Sequence, residues 1–171
     1  EEIVIYENAG VNGAIVENYH GGLDEVIEVL QAIPLSTKID IGINILPNEF
    51  ATAFELADKY GATFIQLDFI SGRYLGLVSK ELDLEKYMIY RLRYPNIKVL
   101  GGVWPKYYTP LSNLEEDLVE AQKRCDAIVV TGSGTGKETP LGKIKSFRQS
   151  IGDFPLIIGA GLNQDNLHHI E

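Results

Sequence analysis

Six short runs rich in β-branched residues recur along this chain, each followed by a polar or glycine-bearing turn and then an amphipathic stretch. The runs are GAIVENY (13–19), IDIGINIL (39–46), TFIQLDFI (63–70), IKVLGGVW (97–104), AIVVTGS (127–133) and PLIIGAG (155–161). Their starts lie roughly 25 to 35 residues apart, the length of one βα unit. Leu23, Val26, Ile27 and Leu30 form one helical stripe, ended by Pro34. Phe50, Phe54, Ala57 and Gly61 form a second with Asn48 as expected N-cap, and Leu114, Leu118 and Ala121 a third after Ser112. Strands alternating with helices in this way imply a parallel sheet with crossovers of one hand. With no linker or low-complexity segment between the repeats, residues 1–171 read as a single domain.

An open doubly wound sheet and a (β/α)8 barrel both satisfy the repeat. Six strands are too few to close a barrel, and one more at each end would complete it. EEIVIYENAG reads as a last helical turn stopped by Gly10, although its apolar run also suits a strand. NQDNLHHIE looks like a helix under way, so the chain is expected to be part of a longer polypeptide. Glu17, Asn44, Gln66 and Asp68 stand at or near the C-terminal ends of strands. Such residues are costly in a buried parallel strand unless paired, whereas barrel enzymes place their chemistry there. The expected fold is a partial TIM barrel, class α/β.

A hydrophobic fraction of 45% supports a real core, and a net charge of −9 argues against a nucleic-acid partner. No apolar stretch approaches the length that membrane insertion needs. Cys125 stands alone, which excludes an intrachain disulfide and fits a reducing cytosol, so a cytoplasmic location is expected. His168 and His169 are adjacent and would diverge on a helix, and His20 stands apart. No metal or cofactor is expected.

VVTGSGTGKET (129–139) resembles a P-loop only in part. Gly136 and Lys137 match, but Thr131 replaces the first glycine and Glu138 stands where magnesium needs a hydroxyl. Another phosphate cradle fits better. Barrels often seat phosphate on consecutive glycine-rich strand exits, where backbone N–H groups approach the anion. TGSGTGK and GAGLNQDN are two such exits, one βα unit apart. Thr131, Gly132, Ser133, Gly134, Thr135, Gly136 and Lys137, with Gly159 and Gly161, are therefore candidate ligands for a small anionic metabolite.

GVNGAIVENY, IGINIL, ATFIQLDFISG, IVVTGSGTGKET and PLIIGAGLNQDN resemble the BtpA/SgcQ family, named after a photosystem I biogenesis factor. The resemblance runs in unbroken order over almost the whole chain. It implies a TIM barrel, with IVENY as the second strand, VVTGSGTGK as the sixth and IIGAG as the seventh. The eighth-strand phosphate loop would then lie beyond Glu171. It also carries over Glu17, Asn18, Asn44, Gly72, the Thr131–Lys137 loop and the Gly159–Gly161 turn. Where the family has Asp-Val-His-Val-Lys-His, this chain reads GVWPKY, so Lys106 matches while Gly102, Trp104 and Tyr107 replace the acid and both histidines. In the fourth strand Asp68 and Gln66 replace an asparagine and a basic residue.

Asp68 and Glu17 are expected to point into one mouth, where paired carboxylates can divide acid and base work, or else accept loop hydrogen bonds. Lys106, after Trp104 and Pro105, suits imine chemistry or a counter-charge for an anion. Arg73 suits a bidentate clamp, or faces solvent. The enzyme expected is a lyase or isomerase moving a proton beside a carbonyl, with Asp68 or Glu17 as base. The rival is a non-catalytic assembly or regulatory factor, toward which the missing imidazoles lean. A chain lacking two strands also exposes sheet edges that invite homo-oligomers.

Overall fold

A computed structural model describes residues 2–75 and 80–169. The chain runs α1 (Glu2–Asn8), β1 (Gly13–Glu17), α2 (Leu23–Ala32), β2 (Asp40–Asn44), α3 (Phe50–Tyr60) and β3 (Phe64–Leu67). A short pair, β4 (Arg73–Tyr74) and β5 (Lys80–Glu81), precedes α4 (Leu84–Arg93) and β6 (Lys98–Gly102). Then come α5 (Leu114–Gln122), β7 (Ala127–Val130), α6 (Leu141–Ile151), β8 (Leu156–Ile158) and a 3-10 turn, Leu167–His169. The six expected strands all form, each parallel to the strand it pairs with, and the fold is α/β, a partial (β/α)8 barrel. The chain divides into two compact units: residues 1–67 with 84–99, and residues 68–83 with 100–171.

In the first unit β1 pairs with β2 and β2 with β3. The register Gly42↔Phe64 has a steric basis. A Cβ on Gly42 would stand 2.1 Å from Phe64 Cε2, so the ring crosses β2 only where no side chain blocks it. On its core side α3 buries Phe50, Ala53, Phe54, Leu56 and Ala57. Phe54 stacks on Tyr94 at 5.7 Å, and Phe50 meets fully buried Tyr87 of α4 edge-on at 5.6 Å. Gly61, at φ 72°, closes α3 by donating its N–H to Ala57 O, so it stands just past the helix and not within its stripe. The expected N-cap differs: Asn48 lies in the left-handed region at φ 88°, and Glu49 takes the cap position with no side-chain bond. Residues 2–8 are helical rather than extended, with no side chain buried.

The second unit pairs β6 with β7 through Leu100↔Ala127 and Gly102↔Val129, and β7 with β8 through Ile128↔Leu156. All four residues of β7 are buried, consistent with its unbroken apolar run. The helix after Ser112 is capped by Asn113, whose side chain accepts from the N–H groups of Glu115 and Glu116. The antiparallel β4–β5 pair was not legible in the sequence, being two residues a strand. Tyr74 in it is fully buried and donates its hydroxyl to Ser71 O at 2.9 Å.

Candidate functional site

In the second unit the exits of β6 and β7 are laced together around two strained residues. Trp104 (φ 48°) and Tyr107 (φ 69°) hold left-handed backbone that side chains disfavour. Each such residue costs on the order of 1–3 kcal/mol and persists where its surroundings over-determine it. Trp104 is held three ways. Its N–H donates to the Tyr74 hydroxyl at 3.1 Å, and its indole N–H to Asp117 Oδ2 at 2.8 Å. Its carbonyl accepts from Lys143 Nζ at 2.8 Å. Asp117, only 6% exposed, also accepts from the Ser112 hydroxyl at 2.6 Å. Lys143 has a second bond, to Thr131 O at 2.9 Å, so one ammonium bridges both exits. Burial depresses its pKa below the ordinary lysine value.

This bracing presents three groups to the glycine-rich loop. The backbone N–H of Lys106 donates to Thr131 Oγ1 at 2.9 Å, and its Nζ donates to Thr135 Oγ1 at 3.0 Å. The Tyr107 hydroxyl donates to Thr135 Oγ1 at 3.3 Å and accepts from the Thr135 N–H at 2.9 Å. Ammonium, phenol and backbone amide thus meet at an exposed threonine. The loop doubles back tightly. A Cβ on Gly132 would stand 2.6 Å from Glu138 O, and one on Gly161 (φ 71°) 2.3 Å from Lys137 O. Thr139 donates to Ala160 O at 3.1 Å, which ties the β8 exit to the β7 loop, and Asn166 Nδ2 donates to Gly161 O at 2.8 Å within that exit. Gly159 packs instead against β7, where its Cβ would lie 2.7 Å from Val129 Cγ1. Ser133, Gly136 and Lys137 are exposed on the loop, and Gly134 is buried.

Asp68 accepts from the Tyr108 hydroxyl at 2.9 Å. Tyr108 packs edge-on against Phe69 and Tyr74, with Lys80 Nζ 5.4 Å from its ring centre. Burial first and the Asp68 charge second push the Tyr108 phenol above its ordinary pKa, so it stays a donor. Arg73 lies on β4, exposed, its N–H accepted by Ser112 Oγ at 3.1 Å.

The first unit holds the other expected residues. Asn18 braces the β1 exit against β2: Oδ1 accepts from Leu46 N at 2.7 Å and Nδ2 donates to Leu46 O at 3.4 Å. Asn44, 1% exposed, donates Nδ2 to Glu17 Oε1 at 3.1 Å. Among the described residues no group of three or more His, Cys, Asp or Glu could hold a metal ion, and no helix is long and apolar enough to cross a membrane.

Sequence comparison assigns this arrangement to a lineage. The model of the BtpA family matches residues 1–171. The chain belongs to the BtpA family. It is 28% identical to an uncharacterised protein of Methanocaldococcus jannaschii, covering 94% of this chain and 67% of that one. A Pyrococcus horikoshii relative, also uncharacterised, is 30% identical over 95% of this chain and 68% of its own. The photosystem I biogenesis protein BtpA of Synechocystis is 25% identical over 98% of this chain and 64% of its own.

In this BtpA-family chain Lys106, Thr131 and Thr135 meet, Gly161 meets Lys137, Glu17 meets Asn44, and Asp68 meets Tyr108. Tyr107, Tyr108, Asp117 and Lys143 were missed as candidates. Tyr107 carried a signal, since it stands where the family has histidine. Lys143 carried another: it sits four residues before buried Phe147, on the helix face that packs inward. Asp117 gave none, because a carboxylate in the first turn of a helix ordinarily faces solvent.

Proposed function

We propose that the β6 and β7 exits of the second unit bind a small anionic metabolite, of the phosphate-ester type. The observation that carries this reading is the convergence of Lys106 Nζ, the Tyr107 hydroxyl and the Thr135 N–H on one exposed threonine. A cation, a phenol donor and a backbone N–H in a loop of small residues are the groups a tetrahedral anion recruits. Ser133 and Lys137, exposed on the same loop, supply further donors. Thermal unfolding in rising inorganic phosphate tests it. A ligand at one hundred times its Kd stabilises by about 2.7 kcal/mol, seen as a raised midpoint. Lys106→Met should weaken phosphate about tenfold by removing a charge-assisted bond. An unchanged midpoint across phosphate and simple phosphate esters would refute the reading.

A catalytic role, as a lyase or isomerase beside a carbonyl, draws support from Asp68. A carboxylate that accepts the phenol's hydrogen bond is a residue type that can serve as a general base. Asp68→Asn should then abolish turnover while leaving phosphate affinity unchanged. The non-catalytic assembly role is favoured by similarity to the photosystem I biogenesis protein of Synechocystis. It predicts phosphate binding that survives with no turnover to lose.

A further inference from the structure

The anion reading leaves the ring of Tyr107 unused. The side chain is 69% exposed, yet its place is fixed at both ends. At one end the backbone holds φ 69°, and at the other the hydroxyl exchanges two hydrogen bonds with Thr135. Lys106 Nζ stands 6.0 Å from the ring centre, within cation–π range. An aromatic ring oriented before a ligand arrives loses little freedom when another ring stacks on it.

The loop decides where the organic group of a phosphate ester can go. Thr131, Gly132, Gly134 and Thr139 are buried, so the inner side of the loop is filled by the protein itself. A Cβ on Gly134 would meet the Tyr107 hydroxyl at 3.5 Å and Lys137 Cδ at 3.4 Å, ordinary contact distances. The phenol and the Lys137 stem thus lie against the same stretch of loop backbone. The Tyr107 hydroxyl, at Thr135, marks where phosphate oxygens would sit, and the exposed ring continues from there toward water. An ester group leaving the phosphate on the solvent side has that ring beside it.

We propose that Tyr107 sets the specificity of the anion site, which takes phosphate monoesters whose organic group is a planar aromatic ring. The ester ring stacks on the Tyr107 ring while Lys106 Nζ and the Thr135 N–H hold the phosphate. The proposal rests on the anion reading and adds to it the chemistry of the esterified group. An offset stack of two aromatic rings is worth about two- to tenfold in affinity. Aliphatic esters of the same charge gain no such stack.

The test is isothermal titration of the chain with methyl, cyclohexyl and phenyl phosphate at about pH 8, where all three are dianions. Phenyl phosphate should bind about tenfold more tightly than methyl phosphate and about threefold more tightly than cyclohexyl phosphate. Tyr107→Leu should bring phenyl and cyclohexyl phosphate to equal affinity. Tyr107→Phe should keep the phenyl preference while weakening all three esters, because it removes the hydroxyl and not the ring. The comparison of the three esters on the wild-type chain decides the matter even if Tyr107→Leu does not fold. Equal binding of phenyl and cyclohexyl phosphate, or a phenyl preference that survives Tyr107→Leu, would overturn the proposal and leave the anion reading in place. No binding of any ester would overturn both.

Discussion

Tyr107 is 69% exposed and yet holds a left-handed backbone, an expense its own packing does not explain. Its hydroxyl takes the Thr135 N–H, the donor an anion oxygen would use. Once an anion takes that N–H, the phenol can turn its own O–H onto the ligand. Tyr107→Phe removes that donor and keeps the ring, so inorganic phosphate should bind roughly two- to tenfold more weakly, the value of one net hydrogen bond. Isothermal titration of both proteins decides it: equal or tighter binding by the variant would mean that the hydroxyl is no ligand contact. Trp104, the other strained residue, is different in kind. Its three hydrogen bonds to Tyr74, Asp117 and Lys143 make it part of the frame.

Elements in this fold meet through positions that have no side chain. Phe64 lies across β2 because Gly42 leaves room, and the β7 loop folds onto the β8 exit because Gly132 and Gly161 do. Gly42→Ala puts a methyl carbon 2.1 Å from the ring, which must rotate or lift β3. Overpacking of this order costs about 1–3 kcal/mol, measured as a lower urea midpoint at unchanged slope. The double variant Gly42→Ala/Phe64→Leu should recover part of the loss. Equal midpoints for wild type and the single variant would mean that the ring contributes nothing to register.

At the scale of the molecule, β1 pairs with β2 and β8 with β7, and among the described residues neither outer strand has a second partner. Ile15 in mid-β1 is 41% exposed and Ile157 in β8 is 37% exposed. Apolar side chains beside unpaired backbone template further pairing. Light scattering of this 171-residue chain should therefore report a mass that rises with concentration. Ile15→Lys, a charge on the edge, should lower it toward the monomer. A monomer at all concentrations would show that the net charge of −9 is repulsion enough.

The α/β class, the six strands and the glycine-rich exits were determined by the sequence alone. Hydrophobic period and turn chemistry act over a few residues, and they leave their mark in consecutive letters. What tertiary structure decided was partnership. Nothing in the letters joins Lys143 to two carbonyls 39 and 12 residues away, Asp117 to an indole, or Tyr107 to a threonine amide 28 residues on. The β4–β5 pair was equally invisible, because two-residue strands have no period. Nor could spacing reveal that Asn44 is buried with its carbonyl oxygen unmatched. Contacts between residues far apart in sequence come from the packing of whole elements, and that is where the chemistry of this chain resides.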